Sequence, residues 1–249
     1  MLGKIRRSSL SDFQNIRQNG KIAIKLDEND KLVSVRTCTS QEHILLSTKT
    51  GKALRFAISK LRTYKGRSSD GVRGIRLAPE DAIISMTVLN GTSPTSGEKE
   101  SYLSIPLQDR IDFALKPQKL EKFADKFSSE KFPQLAMNEQ FILSITSNGY
   151  GKRSSSYEYK VINRGGVGVI NIASSSKIGH LVATLCVRNT DEVMLITNKG
   201  KIIRCKVNSI RSTSRKTSGV ILFKVDSGEC VVSAALVLDK KEEEITHRA

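Results

Sequence analysis

Four segments of the chain repeat one plan, and such self-similarity restricts the fold more than any single motif. Each segment opens with a glycine followed four positions later by an arginine: Gly3/Arg7, Gly51/Arg55, Gly149/Arg153 and Gly200/Arg204. A second glycine follows 17 to 20 residues on, at Gly20, Gly71, Gly166 and Gly219. Apolar residues stand four and six positions beyond it, at Ile24/Leu26, Ile75/Leu77, Ile170/Ile172 and Phe223/Val225. An apolar doublet closes each unit: Leu32-Val33, Ile83-Ile84, Leu181-Val182 and Val231-Val232.

The period within each unit is that of strands. Ile44-Leu45-Leu46-Ser47-Thr48 precedes the polar turn Lys49-Thr50-Gly51, and Lys52-Ala53-Leu54-Arg55-Phe56 follows it. A glycine between two β-rich runs reads as a hairpin, because glycine takes the positive-φ position without steric cost. The fourth unit repeats the arrangement around Asn198-Lys199-Gly200. Alternation there places Ile203, Cys205 and Val207 on one face and Arg204 and Lys206 on the other. Units of this size with about four short strands are those of propeller blades. The expected fold class is all-β and propeller-like, with repeats near 1–38, 39–88, 139–188 and 189–238 in one domain over 1–249, and a tail over 239–249.

Residues 89–138 break the pattern. They carry neither the glycine–arginine hairpin nor the second-glycine strand, and hold Pro94, Pro106, Pro117 and Pro133. Leu120, Phe123 and Phe127 fall at helical spacing, which predicts a short amphipathic helix over 118–127. An insertion between two blades explains this better than a lost blade.

Charge separates the repeats from the insertion. The 249 residues hold 41 Lys+Arg and 25 Asp+Glu, a net of +16. From Gly91 to Glu139 the net is −1, so the excess resides on the repeats. Lys25, Arg76 and Lys224 stand between the paired apolar residues after the second glycine, and Asn171 takes that place in the third repeat. A cation repeated from blade to blade makes a positive stripe that can follow a phosphate backbone. Strand-edge lysines also serve to discourage aggregation, which is the plainer reading of any single one. With five Tyr, eight Phe and no Trp, the chain is poor in stacking platforms for single strands, so duplex contact is favoured.

Other chemistries find little support. The chain has no apolar run long enough to span a bilayer, and its start lacks the apolar stretch of a signal peptide. Cys38, Cys186, Cys205 and Cys230 are widely spaced, as are His43, His180 and His247, so neither a disulfide framework nor a zinc site is expected. Gly165, Gly166 and Gly168 precede a strand, whereas a nucleotide loop must open a helix. No nucleophile–base pair emerges.

Several motifs together carry a resemblance. Thr146-Ser147-Asn148-Gly149-Tyr150-Gly151-Lys152-Arg153, Tyr157-Glu158-Tyr159, Arg164-Gly165-Gly166-Val167-Gly168-Val169-Ile170 and Asp70-Gly71-Val72-Arg73-Gly74-Ile75-Arg76-Leu77 resemble the C-terminal domain of the A chain of bacterial DNA gyrase. So do Asp191-Glu192-Val193-Met194-Leu195-Ile196-Thr197 and Thr217-Ser218-Gly219-Val220-Ile221-Leu222. The resemblance covers nearly the whole chain outside the insertion. It implies a β-pinwheel, a disc of blades that exchange strands and wrap DNA around a basic rim. That family usually has six blades, and the motif order here matches the last four. Its Gln-Arg-Arg-Gly-Gly-(Arg/Lys)-Gly box, which lies in the first blade, has only degenerate counterparts at Gln14–Gly20 and Arg164–Gly168. None of Tyr64, Tyr102, Tyr150, Tyr157 and Tyr159 stands in the Arg-Tyr-Thr context of the family's cleavage domain.

The implied role is binding and bending of double-stranded DNA, in support of ATP-dependent negative supercoiling. The chain is non-catalytic in itself, with ATP and Mg belonging to other parts of a type IIA topoisomerase and no cofactor in this chain. Partners are duplex DNA, the remainder of the gyrase GyrA polypeptide and its GyrB companion, with no membrane, in a bacterial, cytoplasmic and nucleoid-associated setting. Arg6, Arg7, Lys25, Arg55, Arg73, Arg76, Lys152, Arg153, Arg204 and Lys206 are the expected DNA contacts. The alternatives are the corresponding domain of topoisomerase IV and a propeller-like protein-interaction scaffold.

Overall fold

The hairpin glycines do what their sequence context requires. Gly51, Gly149 and Gly200 have φ of 87°, 76° and 79°. Their amides close the turn onto the carbonyls of Thr48, Thr146 and Thr197, each at 3.0 Å. The computed structural model describes residues 2–16, 18–28, 30–65, 69–115 and 131–237, and the sequence-predicted helix over 118–127 lies outside them, as does the tail.

The strands are β1 (Lys4–Ile5), β2 (His43–Thr48), β3 (Lys52–Ala57), β4 (Val72–Arg73), β5 (Ile83–Leu89), β6 (Phe141–Thr146) and β7 (Tyr150–Ser155). They continue with β8 (Val169–Ile170), β9 (Leu181–Val187), β10 (Glu192–Thr197), β11 (Ile202–Lys206), β12 (Val220–Ile221) and β13 (Val231–Val237). Four antiparallel sheets result: β1-β4, β5-β2-β3-β8, β12-β7-β6-β9 and β11-β10-β13. Each repeat therefore lends one short strand to the sheet of the repeat before it: β4 to β1, β8 to β3 and β12 to β7. The all-β, pinwheel-like class is the observed one. A register shift recurs at the same point of three blades, at Ser47/Thr48, Ile145/Thr146 and Ile196/Thr197, where a bulge bends the central strand.

Burial follows stacking of blade on blade. β2 and β6 are buried along their whole length, since a neighbouring blade covers each face. In the last blade the expected alternation appears instead: along β11, Ile203 and Cys205 are half-buried while Ile202, Arg204 and Lys206 are exposed. The cores lie between blades, as with Leu143, Ile145, Val187, Val193 and Leu195. Leu45, Ala53, Leu89, Ile142 and Tyr159 form another. Such burial contributes about 25 cal/mol per Å² of apolar surface removed from water.

One register differs from the sequence reading. In the third repeat the glycine equivalent to Gly71 and Gly219 is Gly168, not Gly166. Gly168 has φ 74°, and a Cβ there would sit 2.6 Å from the Ala53 carbonyl, as one at Gly219 would sit 2.5 Å from that of Gly151. The residue matching Ile75 is thus Ile172, and the one matching Arg76 is Ala173. Asn171 is a buried hub that accepts from the Ser144 hydroxyl at 3.0 Å and from the Tyr159 hydroxyl at 2.5 Å. The run of three glycines concealed the offset.

The insertion holds helices α1 (Ser96–Ser104), α2 (Leu107–Leu115) and α3 (Lys131–Asn138). Thr95 and Glu98 form a reciprocal capping box at the start of α1. Tyr102, Phe113, Phe132 and Leu135 pack onto Tyr157 of the third repeat, with an Arg110–Glu139 ion pair buried beside Tyr102.

Candidate nucleic-acid interface

Three of the ten expected contacts face inward. Arg55 is 2% exposed and donates through Nη1 to the Ser156 carbonyl at 2.9 Å and through Nη2 to the Asn90 and Thr92 carbonyls at 3.1 and 2.9 Å. Burial pushes its pKa down to about 10. Arg153 is also buried and donates to the Ile210 and Asn208 carbonyls at 2.7 and 3.3 Å and to the Asn189 side chain. Lys152 donates to the Ser214 carbonyl at 2.7 Å. These cations hold one repeat to the next, and stacking by the neighbouring blade keeps them from a DNA surface. Arg7, half-buried, makes the same kind of contact at 3.4 Å to the Ile58 carbonyl.

Lys152 has a pH signature. Burial lowers its pKa to about 7 from the ordinary 10.5. Between those values the unfolded chain holds a proton that the folded chain has released, so this residue makes stability rise with pH through that window. Its penalty is fully present below pH 7. Lys152→Met is expected to raise the urea midpoint at pH 6.5 and to abolish this residue's share of the rise between pH 7 and 10.5. Equal midpoint changes at every pH would refute it.

The remaining candidates lie outward. Lys25, Arg73, Arg76, Arg204 and Lys206 are exposed, and Arg6 is half-buried with Nη1 on the Ser69 carbonyl at 2.7 Å. Arg204 pairs with Glu192. Exposed cations missed by the sequence reading occupy the segment that leads into each lent strand: Arg62 and Lys65, Lys160 and Arg164, Arg211 and Lys216. Their recurrence ahead of each second glycine was the available signal, and the more regular glycine–arginine pairs obscured it.

Hydrogen bonds connect these segments from repeat to repeat. Lys25 N donates to the Ser69 carbonyl at 3.4 Å, joining the first repeat to the approach segment of the second. Arg164 Nη1 reaches the Arg73 carbonyl at 3.1 Å, while Gly165 N donates to Gly74 O at 2.6 Å and Arg76 N to Gly166 O at 2.8 Å. Arg73, Arg76 and Arg164 are thereby grouped. Arg215 Nη1 donates to the Ile170 carbonyl at 2.7 Å, linking the third repeat to the fourth, which carries exposed Lys216 and Lys224. A line of cations thus follows the lent strands across all four repeats. Oriented this way, it can neutralise successive phosphates without reading bases. No helix among the described residues is long and apolar enough to cross a membrane.

Comparison with known proteins follows the same four repeats. The family model "DNA gyrase C-terminal domain, beta-propeller" matches residues 1–39, 42–90, 140–188 and 191–237, one stretch per repeat and none over 91–139. The DNA gyrase GyrA protein of Rickettsia felis is 51% identical over 243 residues, 97% of this chain and 27% of that protein. Its Granulibacter bethesdensis counterpart is 41% identical over 95% of this chain and 27% of its own length. The Staphylococcus epidermidis protein is 32% identical over 96% and 22%. The chain therefore spans about a quarter of these relatives. A solved DNA gyrase A C-terminal domain superposes with TM-score 0.68 at 21% identity, covering 95% of this chain and 63% of that one. A topoisomerase IV C-terminal domain gives 0.72 at 20%, covering 99% and 64%. With its repeats matched one by one, the chain belongs to the DNA gyrase C-terminal domain family of β-propellers.

Proposed function

We propose that the chain binds double-stranded DNA along its line of cations and bends it, as the C-terminal part of a gyrase GyrA polypeptide. The observation that carries this reading is the continuity of Lys25, Arg73, Arg76, Arg164, Lys216 and Lys224 along the segments in and around the lent strands, which hydrogen bonds connect from repeat to repeat. A curved, evenly charged support makes bending worthwhile: a bend of 40–90° costs about 1–6 kcal/mol, offset by the added phosphate contacts. Wrapped DNA would then be presented to the remainder of GyrA and to GyrB, which supply cleavage, Mg and ATP-driven strand passage toward negative supercoiling. Relatives that bear the gyrase name support this assignment over topoisomerase IV. Support for the protein-interaction scaffold is weaker, since the basic excess falls on the repeats and not on the insertion.

Fluorescence transfer between dyes at the two ends of a short duplex tests it. Transfer is expected to rise on binding, and equally for two duplexes of unrelated sequence. Binding that leaves the duplex straight, or that selects one sequence, would count against bending by backbone contact.

A further inference from the structure

A cation recurs at one fixed point of each junction between repeats. A short 3-10 turn ends there on a buried residue, Leu61, Tyr159 or Ile210. Its amide closes on the carbonyl of Ile58, Ser156 or Val207, at 2.8, 3.2 and 3.0 Å. The next residue is Arg62, Lys160 or Arg211, and all three are exposed. Thr63, Val161 and Ser212 follow and bridge to the repeat arginines Arg7, Arg55 and Arg153. One residue further, the amides of Tyr64, Ile162 and Thr213 donate to the carbonyls of those arginines at 3.0, 2.9 and 2.9 Å. Leu61, Tyr159 and Ile210 have extended backbones and point inward, so the side chain after each points away from the core. Tyr64 also steadies Arg62, whose guanidinium carbon lies 5.3 Å from the ring centroid.

These cations stand at a different level from those of the lent strands. Along the receiving chain, the bridge at Arg7, Arg55 or Arg153 lies three residues from the pair that the lent strand makes at Lys4, Lys52 or Tyr150. Three residues of strand span about 10 Å. The outer edge of each blade thus carries one level at the lent strand, with Arg73 and Arg76 in the second repeat, and another at the approach segment. The two are separated by a distance of the order of a groove of B-form DNA, about 6 Å for the minor and about 12 Å for the major.

We infer that Arg62, Lys160 and Arg211 form a second row of phosphate contacts, which holds one strand of a duplex while the lent-strand cations hold the other across a groove. This rests on the reading of a DNA-binding edge given above, and adds to it which strand each set of cations engages. The identical backbone bonds at all three junctions repeat the contact from blade to blade, as a bent duplex requires of both its backbones. Arginine at two of the three points suits the planar, bidentate capture of phosphate oxygens. Contacts of this kind position the duplex without reading its sequence.

The test crosses a protein change with a DNA change. Arg62→Ala, Lys160→Ala and Arg211→Ala are combined, and an ordinary duplex is compared with one whose second strand carries neutral methylphosphonate linkages. On the ordinary duplex, the triple variant is expected to lose about 2.7 from the slope of log K against log salt, and at least about tenfold in affinity at 0.1 M salt. The half-neutral duplex can lay its charged strand along the lent-strand row. There the variant is expected to bind within about twofold of wild type, because the two changes remove the same contacts. An undiminished loss on the half-neutral duplex would mean that both rows serve one strand, overturning the inference while leaving DNA binding intact. So would a triple variant that holds the ordinary duplex with an unchanged slope. A wild-type chain that binds neither duplex would bring down the DNA-binding reading itself, and this inference with it. Each single substitution is expected to remove about 0.9 from the slope, a readout that stands if the triple variant fails to fold.

Discussion

Reversing Arg73, Arg76 and Arg164 together to Glu is expected to weaken duplex binding by about two to three orders of magnitude at 0.1 M salt. All three side chains are exposed, and the Arg164–Arg73 and Arg76–Gly166 bonds hold them as one group between the second and third repeats. Each phosphate contact contributes about 0.9 to the slope of log K against log salt, so three lost contacts remove about 2.7. Because the contacts are to backbone, the loss falls equally on unrelated sequences. Lys131→Glu, on α3 of the near-neutral insertion, serves as the control and is expected to change affinity by no more than about twofold. Anisotropy titrations of a labelled duplex measure both. A triple variant that binds like wild type would remove the central group of the proposed path.

The second large effect concerns stability. Arg55→Met is expected to destabilise the fold by about 2–3 kcal/mol, because it strands the buried Ser156 carbonyl and the half-buried Asn90 and Thr92 carbonyls that the guanidinium now satisfies, and a buried orphan costs about 1–3 kcal/mol. Against a total stability of about 5–15 kcal/mol that is a large fraction. The insertion is expected to loosen with it, since two of the three carbonyls, those of Asn90 and Thr92, lie where the chain leaves β5 for α1. Arg204→Met, at the same place in the fourth repeat, is expected to change stability by no more than about 0.5 kcal/mol, for its side chain is 63% exposed. Urea denaturation of the two variants compares them directly. Equal effects would mean that the repeat arginine acts within its own blade and not as a clamp on the next.

That contrast also marks how far the sequence could be read. Hairpins were legible because a glycine between β-rich runs leaves few conformations, and Gly51, Gly149 and Gly200 adopt the expected one. What recurrence could not reveal is which face of a strand a neighbouring blade covers. Arg55, Lys152 and Arg153 read as cations on polar faces, and blade stacking turns them into interior clamps. Arg204 occupies the same place in the pattern and lies at the surface, since no blade among the described residues covers β11. The third-repeat register failed for a local reason: among Gly165, Gly166 and Gly168, only packing against the Ala53 carbonyl decides which one lends the strand. The interface cations of the approach segments, such as Arg164 and Lys216, lie in irregular backbone with no period to expose them.

The most direct measurement is the affinity of the chain for a short duplex across a range of salt. With about eight phosphates engaged along the line of cations, log K should fall linearly with log salt at a slope of roughly −7. Affinity independent of salt, or no binding to duplex DNA at low salt, would contradict a basic path for DNA across the four repeats.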